Sequence, residues 1–192
     1  MGKGRLTTEE TLTRLAANWP EAARHPMPWL MIPLQRLLDL MQAEGRAAVR
    51  PFGLTGTALD VLAALRRNPP PHEMRPTELT GAVLISSGGL TKVLHDLTRR
   101  GLIERPAARE GDRRIRPVRL TDAGCDLAER AVAALHEAEG TLLARATLRR
   151  DELDHLAVQI RRLVAALEMA VQHAPRSTAN AGRRRSGTAS GV

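Results

Sequence analysis

An α+β fold, mainly helical, is predicted for this chain: a winged helix-turn-helix flanked by long N- and C-terminal dimerisation helices. Three observations predict it. Aliphatic residues recur at intervals of three and four over long stretches, which is the helical period. A short helix, turn and helix lead directly into a two-stranded hairpin pattern. Aromatic residues are nearly absent, with Trp19, Trp29 and Phe52 and no tyrosine. That scarcity argues against an all-β sandwich and against a ring platform for single-stranded nucleic acid. At 192 residues and 43% hydrophobic composition, the chain has the material for one core with arms.

Thr7 or Thr8 followed by Glu9 and Glu10 reads as a helix cap with acids in the first turn, opening a short helix to about Asn18. Pro20, Pro26 and Pro28 punctuate the next stretch. Leu30, Leu34, Leu37, Leu38 and Met41 then give an apolar-faced helix predicted to end near Gly45. Thr55–Arg67 is a second amphipathic helix, with Leu59, Leu62, Ala63 and Leu65 inward. The NPPPHEMRP stretch after it reads as a loop. Pro76 opens a short helix to about Val83, proline being favoured at the first helical position. A tight turn leads to Ser87–Arg100, closed by Gly101. Leu102–Ala107 and Ile115–Leu120 read as strands joined by AREGDRR, with Pro117 placing the second at a sheet edge. Thr121 caps a helix through about Arg145. The last helix starts at Asp151, where Leu153, Leu156, Ile160, Leu163, Val164 and Leu167 form a seam to about His173. The chain so divides into four segments: 1–54, an added N-terminal helix and a dimerisation helix; 55–124, the winged helix-turn-helix; 125–174, C-terminal dimerisation helices; 175–192, a disordered basic tail. The flanking helices carry more apolar surface than so small a domain hides, so pairing with a second copy is expected.

The net charge is +8, which points to a polyanionic partner. It is local. Ser86–Thr121 holds nine basic residues against four acidic ones. The segment after Pro175 adds Arg176, Arg183, Arg184 and Arg185, and the rest of the chain is near neutral. The tail is read as solvated, or as a weak phosphate tether.

In Ser87–Arg100, Leu90, Val93, Leu94 and Leu97 share the face expected to be buried. Ser87, Gly88, Gly89, Thr91, Lys92 and His95 occupy the other face, toward the helix start. Short polar residues suit a helix whose N-terminal half enters a major groove. Ser86 or Ser87 as cap can present a hydroxyl and free N–H groups to a phosphate. Gly88 and Gly89 mark either a frayed start or room for close approach to DNA. Arg113, Arg114 and Arg116 belong to the hairpin, whose tip suits a minor groove. Asp112 reads as a local brace.

Gly101–Arg105 (GLIER), Asp112–Arg114 (DRR) and Leu120–Gly124 (LTDAG), within Arg75–Gly124, resemble the DNA-binding core of the multiple-antibiotic-resistance regulator (MarR) family. The resemblance implies a homodimer on pseudo-palindromic double-stranded DNA, commonly a repressor released by a small molecule or by oxidation. By it, Ser87, Thr91 and Lys92 fall in the groove-facing helix and Arg114 is the wing arginine. Asn18-Trp19 on the added helix, with RPTEL and LIER, resembles the family's urate-responsive branch. Trp19, Asp60 and Arg105 match three of that branch's ligand residues, while the recognition-helix arginine falls at Val93. The effector implied is a urate-like purine or an aromatic acid. Asp60, amid apolar neighbours, reads either as a buried carboxylate stabilised by Arg105 or as an exposed helix carboxylate, with Trp19 then a plain packing residue.

Cys125, the only cysteine, excludes an internal disulfide framework and a cysteine-rich zinc site. It follows a helix start, which can lower a thiol pKa, but an inert small side chain is the favoured reading. The histidines show no paired metal-ligand spacing, and no nucleophile–base pair or phosphate-cradling glycine loop is present, so neither enzyme activity, metal nor cofactor is expected. No apolar run approaches the ~18 residues of a membrane helix, and a cytoplasmic protein without membrane association is expected. The reading is a ligand-responsive transcriptional regulator, with a sequence-tolerant architectural DNA-binding protein as the alternative.

Overall fold

The computed structural model describes residues 5–83, 85–106 and 116–173. They fall into two compact units, one ending at Ala146 and one beginning at Thr147.

In the first unit, α1 (Thr8–Asn18) is closed by a reciprocal cap: Thr7 Oγ1 accepts from the Glu10 N–H, and the Glu10 carboxylate accepts from the Thr7 N–H. These bonds hold the Glu10 carboxyl below its usual pKa. The four-residue α2 (Pro20–Ala23) comes next, and α3 (Pro26–Val49) begins on Pro26 and runs past the predicted stop at Gly45. Gly45 is glycine for packing: a Cβ there would lie 3.1 Å from Leu135 Cδ1. A 3₁₀ turn (Arg50–Phe52) ends on Gly53 in the left-handed region, φ 65°.

Thr55 caps α4 (Gly56–Arg67), whose Ala58, Leu59, Val61, Leu62, Ala64 and Leu65 are buried. This helix is the hub of the core, packing on α5 (Pro76–Val83), α6 (Ser87–Arg99), α7 (Asp122–Arg145) and α3. Truncating a fully buried leucine such as Leu62 or Leu65 costs about 2–5 kcal/mol in such a setting. A Schellman motif ends α6: Gly101, φ 69°, donates to Thr98 O, and Leu102 N–H donates to Leu97 O.

The sheet differs from expectation in two respects. The stretch predicted as a loop contains a strand, β1 (Glu73–Met74), beside β2 (Ile103–Glu104) and β3 (Val118–Leu120). The order is β1-β3-β2, all antiparallel, so β3 is central and not an edge. Pro117 precedes the first paired residue, Val118, and therefore removes no ladder hydrogen bond. Thr121 caps α7 by accepting from Gly124 N–H at 3.0 Å, while its own hydroxyl donates to Gly101 O at 2.7 Å.

The second unit holds α8 (Arg150–His173), one residue longer at its start than predicted. None of its residues is buried, and Leu156, Ile160, Leu163, Val164 and Leu167 are exposed. No single helix among the described residues is long and apolar enough to cross a membrane.

Candidate nucleic-acid interface

The two faces of α6 separate as the spacing requires. Leu90, Leu94 and Leu97 are buried and Val93 is half-buried, whereas Ser86, Ser87, Gly88, Thr91, Lys92 and His95 are exposed. Ser86 Oγ caps the helix, accepting from Gly89 N–H at 3.3 Å. Thr91 donates its hydroxyl proton to Ser87 O at 2.9 Å, which leaves its oxygen free to accept from a base or a bound water. The two glycines have different reasons. A Cβ on Gly89 would lie 3.0 Å from Ile85 Cγ1, so its absence lets the turn pack on the helix; a Cβ on Gly88 would meet nothing within 4 Å. Gly88 faces open space.

The basic run divides in two. Arg119 lies across the middle of the sheet, its Nε and Nη2 donating to Glu73 Oε2 at 3.0 and 2.8 Å and its Nη1 to Glu104 Oε1 at 3.3 Å. Glu73 and Glu104 are its register partners on the flanking strands. Both carboxylates favour the charged guanidinium and raise the Arg119 pKa, chiefly through the Glu73 hydrogen bonds. Arg100 donates to the carbonyls of Gly53 (2.8 Å) and Phe52 (3.1 Å), tying α6 to the 3₁₀ turn. Arg99 bonds Asp96 at 2.6 Å and holds that carboxyl below the usual range. The exposed cations left among the described residues of this run are Lys92, Arg105 and Arg116. Arg113 and Arg114, with Arg109 and the brace assigned to Asp112, lie outside the described residues, as does the basic tail.

The pairing expected between Asp60 and Arg105 is not formed. Asp60 is exposed and lines a cleft of about 440 Å³ among α3, α4 and α7, with Arg46 and Glu139. Burial is still enough to push its carboxyl pKa up, against the opposing charge of Arg67. Arg105 donates instead to Arg116 O at 3.1 Å and lines a separate cleft of about 520 Å³ between α5 and α6, with Thr80, Thr91, His95 and Thr98. The reason is geometric: α4 turns Asp60 toward α3 and α7, whereas the end of β2 carries Arg105 to α6. Trp19 is 64% exposed at the α1–α2 junction and lines neither cleft.

Cys125 is half-buried, and desolvation is the main cause that raises its thiol pKa. That keeps it protonated and supports the inert reading. Among the described residues no three His, Cys, Asp or Glu side chains gather as a metal site. The sheet-spanning Arg119 triad was missed in the sequence. Its signal, opposite charges on facing strand positions, becomes visible only once Glu73 is known to lie on a strand.

A helix-turn-helix whose second helix exposes a polar, cationic start, followed by a β-hairpin, defines the winged-helix class of regulator. A model of the MarR family matches residues 52–115. The chain is 32% identical over 114 residues to the HTH-type transcriptional repressor Rv2887 of Mycobacterium tuberculosis, covering 59% of this chain and 79% of that protein. It is also 32% identical over 111 residues to the HTH-type transcriptional regulator PecS of Dickeya dadantii, covering 58% of this chain but only 62% of PecS. Among solved structures, a MarR-family regulator from Rhodococcus shares the fold, with TM-score 0.62, 16% identity and coverage of 70% of this chain and 91% of that one. Rv2887 in complex with p-aminosalicylic acid superposes with TM-score 0.57 and 28% identity, over 72% of this chain and 98% of that one. The chain belongs to the MarR family.

Proposed function

We propose that this protein is a DNA-binding transcriptional regulator, a repressor that binds a pseudo-palindromic operator as a homodimer and is released by a small anionic or aromatic effector. The observation that carries the reading is the exposed N-terminal face of α6, where Ser86, Ser87, Gly88, Thr91, Lys92 and His95 stand clear of the core. Short side chains there let the helix approach base edges, with Lys92 and Arg116 neutralising phosphates on either side. Arg113 and Arg114 extend the cationic surface in this reading. Segment 55–124 is then the reading head, and the helices before and after it make the dimer.

For the effector, Arg105 is the favoured anchor, because it is a cation beside the face that meets DNA. An anion seated against it would add negative charge and bulk next to Thr91 and His95. The complex of Rv2887 with p-aminosalicylic acid favours an aromatic acid over a urate-like purine. Trp19 and Asp60 enter this site only if ligand binding or a second copy brings them to Arg105.

The test is fluorescence anisotropy with a duplex from the region upstream of the protein's own gene, titrated with salt, salicylate and urate. A steep fall of affinity with salt, a preference over scrambled duplex and release by salicylate are expected. Equal affinity for scrambled duplex would instead support an architectural DNA-coating role.

A further inference from the structure

We propose that Arg119 is a positioning residue for DNA binding and not a phosphate contact: held by Glu73 and Glu104, it sets the hairpin base, and with it Arg105 and Arg116, against the recognition helix. This inference rests on the DNA-binding reading above.

Each strand of the sheet has only two or three residues. So few ladder hydrogen bonds hold register weakly, and side-chain pairs across the strands must supply the rest. The Arg119 fork supplies it. Its guanidinium reaches register partners on both flanking strands at once through Nε, Nη1 and Nη2 held in one plane, whereas an ammonium offers its three donors from a single point with no fixed span. Glu73 is the deeper partner, its side chain 18% exposed against 52% for Glu104. The strands so joined lead to the functional surfaces. Directly after β1, Pro76 opens α5, the first helix of the helix-turn-helix, and Glu78 there accepts from Arg75 N–H at 2.7 Å. At the same end of the sheet, beyond Glu104 and before Val118, Arg105 and Arg116 face one another through the Arg105 bond to Arg116 O. The triad therefore links the first helix of the reading head to the base of the hairpin, while its own charge is committed internally.

The two roles predict opposite signs for one isosteric change. Were Arg119 a phosphate contact restrained by its partners, Glu73→Gln would remove a negative charge near DNA and strengthen binding. As a positioning residue, Arg119 loses its main anchor in Glu73→Gln, and DNA affinity falls by roughly three- to tenfold, the size expected for one disturbed side-chain network. Glu104→Gln, on the more exposed partner, falls less. Arg119→Lys, which keeps the charge but not the fork, falls as Glu73→Gln does. The double variant Glu73→Gln/Arg119→Met binds no worse than Arg119→Met alone.

Anisotropy on the upstream duplex, at a temperature where circular dichroism shows each variant folded, reads these outcomes. Tightened or unchanged binding by both Glu73→Gln and Glu104→Gln overturns the positioning role while leaving the DNA-binding reading intact. Additive losses in the double variant, or Arg119→Lys binding as the unaltered protein does, overturn it as well. Absence of salt-sensitive binding by the unaltered protein would overturn the DNA-binding reading itself, and the positioning role with it.

Discussion

A methyl group on Gly124 would stand 2.0 Å from the carbonyl oxygen of Leu102 and 3.0 Å from its carbon. That oxygen already accepts from Thr121 N–H at 3.1 Å, so it cannot withdraw without breaking the junction between β3 and α7. The glycine of the LTDAG signature is thus required by a backbone crossing. Gly124→Ala should destabilise the protein by about 3 kcal/mol, at the upper end for an over-packed site, measured by urea unfolding; a loss of under half that would mean the crossing can relax. Asp60 makes the opposite case. Desolvation raises its pKa, so the folded state binds the proton more tightly than the unfolded chain does. The stability this contributes is complete below the ordinary aspartate pKa and is lost as pH rises through the raised value. At neutral pH the carboxylate therefore works against the fold, and Asp60→Asn should raise Tm there. The gain is small, because water still reaches the group, and it should close as the pH falls below the carboxylate range. An equal Tm at neutral pH would show that solvent cancels the desolvation.

At the scale of the element, the helices were legible because each carries its own boundary chemistry. Thr7, Thr55, Ser86 and Thr121 all cap their helices, and Gly101 closes α6. Misreadings arose where a tertiary partner decides. Gly45 looked like a stop but is a place where α7 comes close. A two-residue strand such as Glu73–Met74 has no period to detect, and missing it made Pro117 look like an edge marker. Asp60 looked buried because its sequence neighbours are apolar, whereas its exposure depends on which way α4 faces. The polar face of α6 could be read from spacing alone, yet the separate reasons for Gly88 and Gly89 could not. Gly88→Ala puts that distinction to use. With nothing within 4 Å to clash, it should stabilise α6 by about 0.5–1 kcal/mol on propensity while weakening operator binding, read as a rise in Tm with a loss in anisotropy. Stabilisation without any loss of binding would leave Gly88 as only a soft helix start.

The whole molecule presents two unlike surfaces, a cationic reading face and long apolar stripes. On α8, Leu156, Ile160, Leu163 and Leu167 run along one side at spacings of four, three and four, and are 48, 39, 41 and 54% exposed. On α3, Trp29, Leu30, Leu37 and Leu38 are likewise exposed. An apolar stripe of this kind marks an association site, and the pseudo-palindromic operator proposed above would fill it with a second copy of the chain. The consequence is quantitative. In that proposed dimer each reading head would neutralise its own set of phosphates, and the slope of log affinity against log salt scales with their number. Leu163→Glu combined with Leu167→Glu places two charges on the α8 stripe and should shift the protein from dimer to monomer in sedimentation. Its salt slope on operator DNA should then fall to about half that of the unaltered protein. A variant that remains dimeric would move the interface to the α3 stripe. A monomer that kept the full slope would show that one reading head makes all the phosphate contacts, and the role of the second copy would be to choose the site and not to hold it.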